Sequence, residues 1–135
     1  MESNVSEILT LLLQEAGFEY IVNKKLTDDS TITIDIYDDC PNINIINLGD
    51  EVWIWSVLCD FNEYYLLFDS YKFLSFFLNI EEEVFCLGQP TLKKVDGKIE
   101  LRAQIRNESL VSVENFIEMI ETYYFILKKY LDFFV

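Results

Sequence analysis

Histidine is absent from this 135-residue chain, and several other chemical resources are scarce. Without imidazole there is no Ser-His-Asp or Cys-His relay, no histidine-bearing zinc site, and no side chain whose ordinary pKa lies near neutrality. Only 4 glycines and 2 prolines punctuate the chain, which leaves little material for linkers and no glycine-rich phosphate loop. A single domain is predicted over residues 1–135, long enough to build one core without a disulfide or metal staple. The three cysteines, Cys40, Cys59 and Cys86, are odd in number, widely spaced and lack a C-x-x-C pair. That pattern suits free thiols in a reducing compartment.

Positive charge is also scarce. Ten basic residues stand against 24 acidic ones, a net charge of −14. Phosphate backbones and anionic headgroups repel such a chain, so neither nucleic acid nor a membrane surface is expected as a partner. Basic or weakly charged polypeptides are better matched, although the same charge also serves solubility alone. The N-terminus MESNVSEILT lacks the basic region of a secretory signal. The longest apolar run, Tyr64 to Ile80, is interrupted by Asp69 and Lys72 and is short for a bilayer. A soluble, cytoplasmic protein is the expectation.

What the chain has in plenty is apolar surface: 51% of residues are hydrophobic, with 2 Trp, 8 Tyr and 11 Phe. A first helix is predicted from Val5 to Ala16, opened by an Asn4–Glu7 capping box and stopped by Gly17. Its inner stripe is Val5, Leu9, Leu12 and Ala16, flanked by Ile8 and Leu13, while Leu11 falls beside Glu7 and Glu15 and should be exposed. Three strands follow. Thr31 to Asp38 alternates, with Ile32, Ile34 and Ile36 on one face; Pro41-Asn42 turns into Ile43 to Asn47; Gly49-Asp50 turns into Glu51 to Cys59. That third strand, EVWIWSVLC, is apolar on both faces, so Trp53 and Trp55 can be core or surface.

A second helix is predicted to start after Asp60, with Glu63 completing a capping box, and to run to Asn79, with polar residues nearly confined to Asp69, Lys72 and Asn79. A helix apolar almost all round must be covered on more than one side. Val84 to Leu87 and Leu92 to Val95 read as strand segments, and Asp96-Gly97 as a hairpin turn into the alternating strand Ile99 to Ile105. The last helix, Val113 to Phe134, carries two apolar stripes. One runs Val113, Ile117, Ile120, Tyr124, Leu127, Leu131, Phe134; the other runs Phe116, Met119, Tyr123, Ile126, Tyr130, Phe133. One should pack on the sheet; the other needs the first helix or a second subunit. The fold class is α+β: an antiparallel sheet of about five strands with three helices, in the order α-β-β-β-α-β-β-α.

Catalytic candidates are thin. Asp28-Asp29, Asp38-Asp39 and Glu81-Glu82-Glu83 lie in predicted loops and match no EF-hand spacing, so solvated charge is the preferred reading. Cys59 and Cys86 lie in apolar segments, which favours inert packing. No enzyme and no cofactor are predicted. The surplus aromatics point elsewhere. One buried aromatic accounts for about 150–250 Å², so three or four left uncovered would exceed the roughly 300–600 Å² patch of an ordinary monomer. Either these faces cover one another, or the chain binds protein: a second copy, a client segment, or both.

The stretch STITIDIYDDCPNINIINLGDEVWIWSVL, Ser30 to Leu58, resembles the corresponding region of type III secretion chaperones of the invasion-protein-B kind, the class IB multi-effector chaperones. Its strand-turn-strand order, the proline before the second strand and the acidic-V-W-I-W run carry the likeness. The C-terminal FIEMIETYYFILKKYLDFF is similar to the family's last helix. The resemblance implies a homodimeric α+β chaperone without ATP use or cofactor. Such a chaperone holds the N-terminal segments of secreted effectors extended and helps present them to the export apparatus, which makes the secretion ATPase a further partner. Effector contact is then expected at Leu9, Leu11, Leu12, Leu13, Ile32, Ile34, Trp53 and Trp55, and dimer contact at Tyr64, Tyr65, Leu67, Phe68, Tyr71, Leu74 and Phe77. The long tyrosine-rich second helix departs from the family pattern. An adaptor of similar fold, unrelated to secretion, is the alternative; it would hold a folded ligand.

Overall fold

In a computed structural model, residues 11, 15, 31–34, 40–67, 70–88 and 90–134 are described. The sheet has five antiparallel strands in the order β1-β2-β3-β5-β4: Thr31–Ile34, Ile43–Leu48, Glu51–Asp60, Lys98–Ile105 and Thr91–Val95. Alternation of side chains explains the burial. Ile43 and Ile45 of β2, Val52, Ile54, Ser56 and Leu58 of β3, and Ile99, Leu101, Ala103 and Ile105 of β5 all point inward. A fully buried Ile54 or Leu101 contributes about 1.5–3 kcal/mol. The β4–β5 turn at Asp96-Gly97 has positive φ at both residues (51° and 77°), the geometry that matches the twist of a tight hairpin.

Helix α3 (Val113–Phe134) covers the inner face. Its two stripes are not equivalent. Phe116, Met119, Tyr123, Ile126 and Tyr130 of the second stripe are all buried, whereas Val113, Ile117, Tyr124 and Leu131 of the first are half-buried. The choice is fixed by packing: Phe85 meets the Tyr123 ring edge-on, and the Tyr123 hydroxyl donates to the Leu101 carbonyl at 3.0 Å.

The predicted second helix is described in two pieces, α1 (Tyr64–Leu67) and α2 (Ser70–Asn79). Its cap is not Asp60 with Glu63. Asp60 ends β3 and pairs with Lys98 at 2.9 Å, and the Asn62 side-chain oxygen instead accepts from the Tyr64 N–H at 3.0 Å. Val84 to Leu87 is not a strand. Phe85 makes one bridge to Ile105, and Cys86–Gly88 then turns as a 3-10 segment with Leu87 at φ 62°. The first predicted helix lies outside the described residues except Leu11 and Glu15, which are helical; residues 35–38 of the first predicted strand also lie outside. Among the described residues no helix is long and apolar enough to cross a membrane.

Helix α2 rests on the end of α3 through rings: Phe73 on Tyr130, Phe133 and Phe134, and Phe76 on Tyr130 and Phe133. Beneath it the Tyr130 hydroxyl is buried with no hydrogen-bond partner. Replacing Tyr130 with Phe removes that unmet polar atom and keeps the ring contacts. Stability is expected to hold or rise by up to about 1 kcal/mol, read as an equal or higher urea midpoint at constant m-value. Burial also pushes the Tyr123 and Tyr130 hydroxyls well above the ordinary tyrosine pKa. A group with its folded pKa raised keeps its full stabilisation below the unfolded value and loses it as pH climbs. Melting temperature is therefore expected to fall progressively above about pH 10.

Candidate protein-binding surfaces

The inner face of the sheet uses only half of its side chains. The others form an outer face in cross-strand rows. Thr33, Asn44, Trp55, Arg102 and Thr91 lie in one row, and Ile46, Trp53 and Gln104 in the next. Trp53 and Trp55 are both half-buried on this face, so neither belongs to the core. A side-chain contact orients Trp53, and a side-chain-to-backbone contact ties down β3 at Trp55. The Trp53 indole N–H donates to Glu51 Oε2 at 3.0 Å, and the Asn44 amide, itself receiving the Thr33 hydroxyl at 2.9 Å, donates to the Trp55 carbonyl at 3.4 Å. With Ile46 and Leu48 they floor a groove of about 550 Å³, bordered by Glu51, Glu100 and Arg102.

Glu100 departs from the alternation. It points outward yet is only 6% exposed, and Arg102 Nη2 pairs with its Oε1 at 3.1 Å. The two are two residues apart on one strand and so share a face.

A second apolar surface runs along the helices. Tyr64, Leu67, Tyr71, Leu74 and Leu78 are all more than half exposed and follow a 3-4-3-4 spacing. Within α2, Tyr71, Leu74 and Leu78 keep the a/d spacing of a helix-packing seam. No residue of α2 is buried, since α3 covers only the side bearing Phe73, Phe76 and Phe77. The requirement for cover on more than one side is thus met on one side alone. Between α2, β4 and the end of α3 lies an apolar groove of about 300 Å³, lined by Phe61, Phe73, Leu74, Phe77, Leu92 and Phe134 among others.

The expected contact residues separate accordingly. Leu11 is helical and 58% exposed, as its position beside Glu15 implied. Leu9, Leu12 and Leu13 lie outside the described residues, as does Phe68; the side chains of Ile32 and Tyr65 are likewise not described. Ile34 is a correction: it is 2% exposed and packed in the core, because its strand turns this side chain toward the helical layer. Phe77 is half-buried, stacks on Phe73 and lines the 300 Å³ groove together with Leu74. Leu78 was missed, although the spacing from Tyr71 and Leu74 marks it.

Among the described residues no three potential ligands gather to hold a metal. All three cysteines are free and half-buried, Cys86 in the 3-10 turn and not in a strand. Desolvation raises the Cys40 and Cys59 thiol pKa, which disfavours the nucleophilic thiolate.

The family model described as the Invasion protein B family matches residues 17–96. Among solved structures, a chain of the ExsC–ExsE complex superposes with a TM-score of 0.58 at 14% identity, covering 98% of this chain and 93% of that one. At that identity the likeness is one of fold. No curated protein matches the chain.

Proposed function

The chain belongs to the Invasion protein B family of type III secretion chaperones, and from that premise we propose that it is a cytosolic homodimer that binds the N-terminal segments of secreted effectors and keeps them unfolded and competent for export. The observation that carries this reading is the division of its uncovered apolar surface into two separate faces. The 3-4-3-4 seam of Tyr64, Leu67, Tyr71, Leu74 and Leu78 fits a second copy, since an isologous two-fold contact lets one stripe cover itself. The tryptophan groove on the outer face and the exposed Leu11 remain for the client. The net charge of −14 favours a client segment that is basic or weakly charged. Delivery to the secretion ATPase belongs to the same proposal.

Leu11→Asp and Trp55→Asp are the test. Each is expected to weaken capture of an effector's N-terminal segment by about tenfold or more, the effect of losing an anchor of about 1.4 kcal/mol or above. The melting temperature should hold for Leu11→Asp. Unchanged affinity in both variants would remove this surface from client binding.

A further inference from the structure

We propose that the outer-face groove receives a cationic amphipathic helix, so that a client segment, on the reading above, is helical where it crosses the sheet and extended only beyond it. The backbone of the groove's floor decides this. Strand β2 is paired to β1 and β3, β3 to β2 and β5, and β5 to β3 and β4. No ladder position is left there for an incoming strand. An extended segment lying over the indoles would bury its own N–H and C=O groups against apolar surface with no partner. A helix closes those bonds internally. The dimensions agree. From β2 to β5 is two strand spacings, about 10 Å, the width of a helix with its side chains. Trp53 and Trp55 stand about 6–7 Å apart along β3, close to one helical turn.

Charge selects the kind of helix. Glu51 is exposed at the groove's end, and the chain as a whole carries −14. The nearest cation, Arg102, already serves Glu100. The flanks of the docked helix, which meet Glu51 at the groove's end, should therefore carry Lys or Arg.

Both tryptophans of the chain lie on this groove, so intrinsic fluorescence reports its occupancy. The probes are two synthetic 14-residue leucine–lysine peptides of identical composition. One places leucine at helical 3-4 spacing and the other alternates leucine and lysine. The helical peptide is expected to shift the tryptophan emission and to bind at least about tenfold tighter. Leu48→Lys, an exposed position that spares the core, should abolish the shift, and Ile46→Lys should do the same. Equal or tighter binding of the alternating peptide would overturn the helical inference while leaving the groove as a client site. Binding that survives both lysine variants would place the peptide elsewhere and overturn it too. If neither peptide alters the fluorescence, the groove is not a docking face, and the client reading falls with the inference.

Discussion

A chain carrying Leu74→Asp and Leu78→Asp together is expected to run as a folded monomer of 16.0 kDa, where the proposal has the natural chain run as a dimer. Both leucines are more than half exposed in the single chain, so the substitutions touch little of the core. In the proposed dimer they lie in the seam, and two-fold symmetry places four aspartates there. Each loses about 1.5–3 kcal/mol of apolar burial and adds the desolvation of a carboxylate. The combined loss exceeds about 6 kcal/mol, a factor of more than 10⁴ in the dissociation constant. Light-scattering mass reads the state, and an unchanged far-ultraviolet circular dichroism spectrum confirms that the fold remains. A variant that stays dimeric would move the interface away from α2.

The second large effect concerns Arg102. Its loss in Arg102→Ala leaves the Glu100 carboxylate buried without its partner. Removing one member of a fully buried pair costs about 3–5 kcal/mol; Arg102 is itself partly exposed, so about 2–4 kcal/mol is expected here. For a domain of this size that lowers the melting temperature by roughly 6–15 °C. The double variant Glu100→Leu with Arg102→Leu should recover most of the loss, because the charge and its desolvation disappear together. A single Arg102→Ala chain as stable as the natural one would mean that the Glu100 carboxylate is satisfied by other means.

The contrast between these residues shows what a linear pattern conveys. The strand EVWIWSVLC states its own alternation, and the inward set of Val52, Ile54, Ser56 and Leu58 follows from the period of two. Whether the opposite set is core or surface does not follow, because a two-sided apolar strand suits either; only the placement of α3 on one face leaves Trp53 and Trp55 on the other. Glu100 was legible as outward-facing but not as buried, since that depends on neighbours supplied by β3 and β4 in a register set by the hairpin. The two stripes of α3 have equal spacing, and tertiary contacts alone select Tyr123 and Tyr130 over Tyr124. Asn62 displaced Asp60 as the cap because β3 continues one residue further than its apolar run, which ties Asp60 to Lys98 across the sheet. Leu78 was not among the expected contacts, although its spacing from Tyr71 and Leu74 puts it in the same exposed row.

On the proposed reading, the aromatic excess divides into a face for a second copy and a face for a client. The most direct measurement is capture from secretion-competent cells with the natural chain and with Trp55→Asp in parallel, followed by mass spectrometry and limited proteolysis of what is held. The account predicts that secreted substrates are retained through their N-terminal segments, that these segments are unfolded outside the complex, and that Trp55→Asp loses them. Retention of the same proteins by both chains, or retention through a folded protease-resistant domain, would contradict it.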